Sequence, residues 1–373
     1  MKIDGSRHGI LAIVALPPPT HGQAVVNQAI VEAISSAGAP LKVVNTSPGA
    51  LRRGLGYHVR RMSLHLLEAM PAILGAGKGL VYSVVEPGFG MAYNFLIILL
   101  ARMKGLRIVL HHHSALYTKT YDRRFAWLSR LAGRNTLHVA LDEFMAKDLK
   151  ANYPFISEVA VALNAAYVDA VVVQERPDRP FTCGFMSNLS REKGLDTFLD
   201  CLRSARKAGL DLRAVIAGPA ASEEAAKMVA DAKAEFGDRL EVLGPVSGAS
   251  KQAFFRSIDV FLFPTRYRVE GQPLVILEAM SYGVPVLASQ QGYCAELIGN
   301  AGASAPIEMF RAAATEFMVR CAGDAGYRRA VGTGARNRYE TLKREADAQR
   351  DDLVRWMSSS RQSEISGGRR LVT

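Results

Sequence analysis

The chain has 373 residues, of which 49% are apolar and 22% charged. That is more chain than one hydrophobic core normally organises and too apolar for wholesale disorder, so two globular domains are expected. The net charge of +11 is uneven: residues 1–176 hold 19 Lys+Arg against 11 Asp+Glu, and residues 177–373 hold 27 against 24. An excess of this kind suits an anionic partner, either a phosphorylated substrate or an anionic membrane surface. The basic stretches lack the interleaved aromatics of single-strand binding, so nucleic acid is not an expected partner.

Cys183, Cys201, Cys294 and Cys321 stand far apart without a C-x-x-C pair. This disfavours a zinc or redox motif and fits reduced packing residues in a cytoplasmic protein. The apolar stretch Gly9–Pro17 is short, ends in prolines and lacks a small-residue cleavage site, so no signal peptide is read there. Met91–Met103 is too short to span a bilayer.

Apolar runs at His8–Ala15, Leu41–Asn45, Leu80–Val85, Leu106–His111, Leu137–Leu141 and Glu158–Ala162 predict buried strands. Helix-period segments near 23–37, 58–74, 89–104, 121–133 and 143–151 separate them. The second half repeats the pattern. Its strands fall near 181–187, 212–217, 239–243, 258–263 and 284–288, and its helices near 194–208, 222–236, 248–256 and 273–282. Near-continuous helix is expected from 308 to the end of the fold, around Met357. Short apolar strands alternating with helices indicate parallel sheets covered on both faces, hence an α/β chain of two doubly wound, Rossmann-like domains. The expected boundaries are 1–170 and 178–335, then a helix over 336–357 packing back on the first domain and a disordered tail over 358–373. The linker is placed at Val168–Pro180. In such sheets ligands bind beyond the carboxyl ends of the strands, so the loops there should carry the chemistry.

Ala15–Gln23 follows the first strand, and Gly22 there allows a ligand to approach the helix N-terminus. Arg52, Arg53, Arg60 and Arg61 gather around the second helix, and Arg102, Lys104 and Arg107 follow the apolar Phe89–Leu100 stretch. They form either a solvated face or a docking face for an anionic membrane. Gly88-Phe-Gly90 lacks the third glycine of a dinucleotide fingerprint. His111-His-His-Ser114 closes the fourth strand; alternation lets only His111 and His113 share a face, which argues against a three-histidine metal site.

In the second half, Phe185-Met-Ser-Asn-Leu-Ser-Arg-Glu-Lys-Gly194 runs from a strand into a helix, where Lys193 is placed to neutralise a phosphate. Next comes Phe263-Pro-Thr-Arg-Tyr-Arg-Val-Glu-Gly-Gln-Pro-Leu-Val-Ile-Leu-Glu-Ala-Met-Ser-Tyr-Gly283. Pro273 suits the first position of a helix that Gly283 ends. Glu270 and Gly271 then lie in the loop before it, and Glu278 lies roughly 8 Å further along the axis. The N–H groups at Gln272, Leu274 and Val275 form an anion site reinforced by the helix dipole. Two carboxylates flanking such a site suit an elongated ligand with a diphosphate at its centre and hydroxyls at each end.

This segment resembles the nucleotide-sugar loop of glycosyltransferase family 4, a retaining family with the GT-B fold of two Rossmann-like domains facing a central cleft. Glu270 and Glu278 match the two family glutamates, and the flanks Ser257–Thr265, Gly283–Ser289 and Gly292–Ile298 match as well. The resemblance implies that Glu270 contacts the donor sugar near the reacting centre and that Glu278 binds the ribose. It implies that Gly22, Gly271, Gln272, Pro273 and Leu274 line the donor site. It makes Lys193 the diphosphate cation and His113 a polarising, orienting group beside the reacting carbon. Lys193 and Gly194 match a Gly-Arg-x-x-x-x-Lys-Gly motif, but Asn188 stands where that motif has arginine; Arg191, Arg266 and Arg268 are the candidate replacements. No D-x-D motif occurs, in keeping with metal-independent transfer in which the nucleotide-sugar is substrate and no cofactor is required. The expected acceptor is a hydroxyl of a glycan or lipid-linked molecule in cell-surface polysaccharide or glycolipid assembly. The alternatives are a nucleotide-sugar epimerase-like enzyme and a non-catalytic sugar-nucleotide sensor.

Overall fold

The computed structural model of the chain describes residues 9–49, 55–171 and 179–359. Arg52, Arg53, most of the predicted linker and the tail from residue 360 lie outside them. The chain divides into two compact units, Met1–Tyr167 with Arg344–Thr373, and Val168–Lys343.

In the first unit, six parallel strands are β1 (Gly9–Val14), β2 (Leu41–Asn45), β3 (Gly79–Val85), β4 (Arg107–His112), β5 (Thr136–Ala140) and β6 (Glu158–Val161). Their order is β2-β1-β3-β4-β5-β6, all in parallel register. The helices between them are α1 (Gly22–Ser36), α2 (Leu55–Leu64), α3 (Met70–Leu74), α4 (Met91–Met103), the single turn α5 (Ala115–Thr118), α6 (Arg123–Ala132) and α7 (Glu143–Asn152). Strand residues such as Ala12, Val81, Val109 and Val139 are fully buried, because helices cover a parallel sheet on both sides.

The second unit repeats the plan with β7 (Thr182–Met186), α8 (Leu195–Lys207), β8 (Arg213–Ala217), α9 (Glu223–Phe236), β9 (Leu240–Gly244), α10 (Gly248–Ser257) and β10 (Val260–Phe263). It continues through α11 (Leu274–Ser281), β11 (Val286–Ser289), α12 (Cys294–Ile298), β12 (Ala303–Ala305), α13 (Phe310–Gly323) and α14 (Ala325–Ser358). The strand order is β12-β11-β10-β7-β8-β9. β7 therefore lies in the middle, with chain order running outward in opposite directions from the β7–β10 pair. Phe185 of β7 and Phe198 of α8 stack in its core at 5.0 Å between ring centroids. Burying each contributes about 2–3 kcal/mol. All four cysteines are free and buried.

Two features depart from expectation, the segment 58–74 and the strand β12. The segment 58–74 is not one regular helix: a π-helical turn at His65–Ala69 separates α2 from α3. The near-continuous helix from 308 to Met357 is interrupted at Asp324. That residue is extended (φ −126, ψ 96), and its carboxylate accepts from Tyr327 N at 2.8 Å, the bond expected of a residue that starts a new helix. The strand β12 escaped the sequence reading because Ala-Ser-Ala has no β-branched or aromatic residue to mark it.

Helix α14 begins in the second unit and ends in the first. Its last turns are tied down there. Gln349 Oε1 accepts from Leu163 N at 3.2 Å. Arg107 donates to Met357 O and Ser359 O at 3.3 and 2.9 Å and lies 5.1 Å over the Trp356 ring. Arg107 is thereby a structural residue, not part of a basic surface. Arg61 is buried, 2.9 Å from Glu86 and 5.0 Å over the ring of Tyr93.

Candidate functional site

The loops after β7 and β10 leave the second sheet at its topological switch point, where doubly wound sheets hold their ligands. They are pressed together. Arg266 N donates to Glu192 O at 2.8 Å. Gly194, in the left-handed region at φ +86, lies so near the other loop that a Cβ there would meet Pro264 O at 1.9 Å. No side chain fits at residue 194, which accounts for glycine beside Lys193.

That approach brings Lys193 Nζ to 2.5 Å from Glu270 Oε1. The Lys193 side chain is 23% exposed and that of Glu270 only 9%. Thr265 Oγ1 donates to the same carboxylate oxygen at 3.0 Å and accepts from Tyr267 N at 3.1 Å. Its own carbonyl accepts from Ser289 Oγ at 2.6 Å. The Tyr267 ring lies 4.2 Å beneath the ammonium group, an added cation–π attraction. From behind, Gly292 packs so closely that a Cβ would stand 1.9 Å from Glu270 O. Glu270 is thus fixed from three directions before any ligand arrives.

Gly271 and Gln272 follow as buried residues. Pro273 does not occupy the first helical position: its ψ of 119 is extended, and it caps a helix that starts at Leu274. Its fixed φ of −62 suits either place, so sequence alone misplaces it by one residue. The helix still points its unpaired N–H groups at the loop. One turn on, Glu278 forms an ion pair with Lys251 of α10. Burial pushes the Glu278 carboxyl above its ordinary range, Lys251 opposes the shift, and Asp169 adds to it.

Asn188, half-buried on the β7 loop, supplies no charge. Arg191 is held by Glu224 at 2.5 Å and by Asp196 at 3.4 Å. Arg266 is 2.6 Å from the same Asp196 and donates to Arg191 O at 3.2 Å. Both guanidiniums stitch the loops together through acidic partners. Arg268 is exposed, and among the described residues it forms no ion pair.

In the first unit, Gly22 opens α1 and is exposed, with nothing within 4 Å of a Cβ placed on it. The residue before it, His21, caps α1 by accepting from Ala24 N at 3.3 Å. His113 lies one residue past β4, half-buried, with its Nε2 atom sealed and unpartnered. Its ring packs 4.2 Å from that of His111, as strand alternation requires. Burial, with a lesser push from His21, holds the His113 imidazole down to about 3, so it is neutral at physiological pH.

His111 Nδ1 pairs with Tyr82 Oη at 2.7 Å. On the other face, His112 Nε2 meets His138 Nδ1 at 3.0 Å, and His112 Nδ1 meets Tyr117 Oη at 3.1 Å. The Tyr117 hydroxyl donates to Val85 O at 3.3 Å. That carbonyl sets the direction of the chain: Tyr117 must accept from His112 Nδ1–H, and His112 Nε2 must accept from His138. Sequence reading saw the three histidines and missed His138, which only the β4–β5 register brings alongside. It also missed Lys251, Thr265 and Tyr267. The Pro-Thr after an apolar strand is a turn signal that could have singled out Thr265; nothing local points to Lys251. Among the described residues no group of three or more His, Cys, Asp or Glu is arranged to hold a metal ion.

The second unit is therefore a doubly wound α/β unit with an ammonium–carboxylate pair and a helix N-terminus at its switch point. Residues 180–321 match the family model described as Glycosyl transferases group 1. It is 32% identical over 119 residues to a lipopolysaccharide core biosynthesis mannosyltransferase of Rhizobium meliloti, covering 31% of this chain and 33% of that protein. The match thus spans about a third of that relative's length. It is 23% identical to an alpha-D-kanosaminyltransferase of Streptomyces kanamyceticus, covering 76% of this chain and 86% of the other. Among solved structures, Anabaena HepE in complex with UDP-glucose superposes with a TM-score of 0.62 at 15% identity, covering 93% of this chain and 98% of that one.

Proposed function

We propose that the chain transfers a sugar from a nucleotide-diphosphate donor to a hydroxyl of a glycan or lipid-linked acceptor, with retention of anomeric configuration and without a metal ion. The observation that carries this reading is the contact of Lys193 with Glu270 at the switch point of the second sheet. The relatives fit it: two are named as sugar transferases, and the Anabaena protein is solved with UDP-glucose.

In this reading the donor diphosphate takes the place of Glu270 as the partner of Lys193 and lies along the start of α11. Positive potential fixed in advance stabilises the charge that develops on the leaving phosphate. Glu270, released from the ion pair but still held by Thr265, orients the donor sugar. Glu278 exchanges Lys251 for the ribose hydroxyls. The acceptor hydroxyl enters on the face the diphosphate leaves, and the departing phosphate oxygen takes its proton. The biological setting that suits this chemistry is cell-surface polysaccharide or glycolipid assembly.

A thermal-shift screen of nucleotide-sugars followed by transfer assays on the best ligand tests the reading, with the product anomer assigned by NMR and EDTA added in parallel. Transfer with retention that survives chelation is the expected result. Isomerised donor without any acceptor would identify an epimerase-like enzyme, and binding without turnover across acceptors a sensor.

A further inference from the structure

Helices α4 and α6 pack side by side on one face of the first sheet, and their outward surfaces carry side chains that the fold leaves unused. Arg102, near the end of α4, reaches the Gly133 cap of α6: its guanidinium carbon is 3.2 Å from where a Cβ on Gly133 would stand. Along the outside of α4, Leu99 and Met103 are exposed by 45 and 75%, and Phe89, just before the helix, by 91%. Beside them Trp127 of α6 is 63% exposed. Tryptophan is costly to leave in water and is the side chain most at home between lipid headgroups.

The cations follow the same surface. Arg123, Arg124 and Arg130 are exposed at helical spacing around Trp127, Arg134 is exposed just past the end of α6, and Arg102 and Lys104 are exposed at the end of α4. The only acid in α4 or α6, or at their caps, is Asp122. It caps α6 and is engaged by Arg124 at 2.8 Å. Arg130 lies 4.5 Å over Phe155, and among the described residues no carboxylate forms an ion pair with it. A tryptophan ringed by arginines, beside an apolar stripe that ends in two more cations, is the chemistry of a surface that lies in a negatively charged bilayer interface. No helix of the described residues is long and apolar enough to cross a membrane, so the contact would be peripheral.

We infer that the α4–α6 face of the first unit docks on anionic lipid, with Trp127 entering the headgroup layer and the surrounding arginines meeting lipid phosphates. This face keeps Arg102 and Lys104 from the basic stretches read from the sequence, replaces Arg61 and Arg107, which are held by internal partners, and adds Trp127 with the arginines of α6. It goes beyond the transfer reaction and does not depend on it, because none of its residues belongs to the donor site.

The full chain carries two tryptophans. In W356F the emission therefore comes from Trp127 alone. Vesicles of phosphatidylcholine with phosphatidylglycerol should shift that emission to the blue and pull the protein down on sedimentation; pure phosphatidylcholine should do neither, and high salt should reverse both. The pair R123S/R130S should weaken partition roughly tenfold or more, and W127S should weaken it with circular dichroism and thermal melting unchanged. Unshifted Trp127 emission on anionic vesicles would overturn the inference, as would equal partition of wild type and R123S/R130S. Binding to duplex DNA without vesicle partition would assign the face to a polyanion other than lipid and overturn it too.

Discussion

Lys193 and Glu270 are 77 positions apart in the chain, yet their charged atoms lie 2.5 Å apart. With no ligand present, the two groups neutralise each other. In the proposed reaction the donor replaces this interaction, and the two residues should respond differently to removal. In Lys193→Ala a largely buried carboxylate loses its counter-charge but keeps Thr265, which should cost about 2–4 kcal/mol of stability and reduce kcat/KM by orders of magnitude. Glu270→Gln keeps the shape and removes the charge; it should melt near wild type while kcat falls steeply. Normal turnover in both variants would remove the site assignment.

Gly194→Ala places a methyl group against Pro264 O at a backbone angle that L-residues disfavour. The clash must push apart the two loops that bring Lys193 to Glu270. A loss of about 2 kcal/mol or more in urea unfolding, together with weakened donor binding, is expected. Gly22→Ala meets no such obstacle and should leave stability within about 0.5 kcal/mol of wild type.

Glu278 offers a pH test. Burial raises its carboxyl in the folded state, so the folded chain holds this proton more tightly than the unfolded chain does. Its contribution to stability is present below the unfolded value and is lost as pH rises through the folded one. Glu278→Gln should flatten that part of the stability profile, just above the ordinary carboxylate range, and should raise donor KM with little change in kcat. A profile identical to wild type would contradict the burial of this carboxylate.

The buried histidines act in the opposite sense. His113 and His138 are each held down to about 3, and His111 and His112 lie well below their ordinary value, chiefly through burial. The unfolded chain binds these protons more readily. The stability they contribute is complete above about 6.5 and is lost as pH falls toward 3, by up to about 1.4 kcal/mol per pH unit for each histidine. Urea titrations at pH 7 and pH 5 should show a steep loss that His138→Gln reduces. Because His113 stays neutral, kcat should show no limb near pH 6.5 that disappears in His113→Asn.

Most of the parallel strands were legible as short, largely apolar runs bounded by a helix period, even where Lys42 interrupts β2 and Glu241 interrupts β9; β12 was not. The loop bearing Glu270 and Glu278 was legible because its residues are contiguous. Lys251 was not, since α10 precedes α11 with a strand between them, and their pairing exists only after β10 has formed. Arg61 and Arg107 read as surface charges because a sequence shows charge but not direction; the half-buried Glu86 and the carbonyls at the end of α14 turn them inward.

Because α14 starts in one unit and finishes in the other, the part of the molecule synthesised first is completed last. Strands β1 to β6 leave the ribosome early, but Leu163 and Arg107 wait for Gln349 and Met357, which emerge nearly 200 residues after β6. The nascent N-terminal half therefore lacks these partners while an entire second sheet is translated.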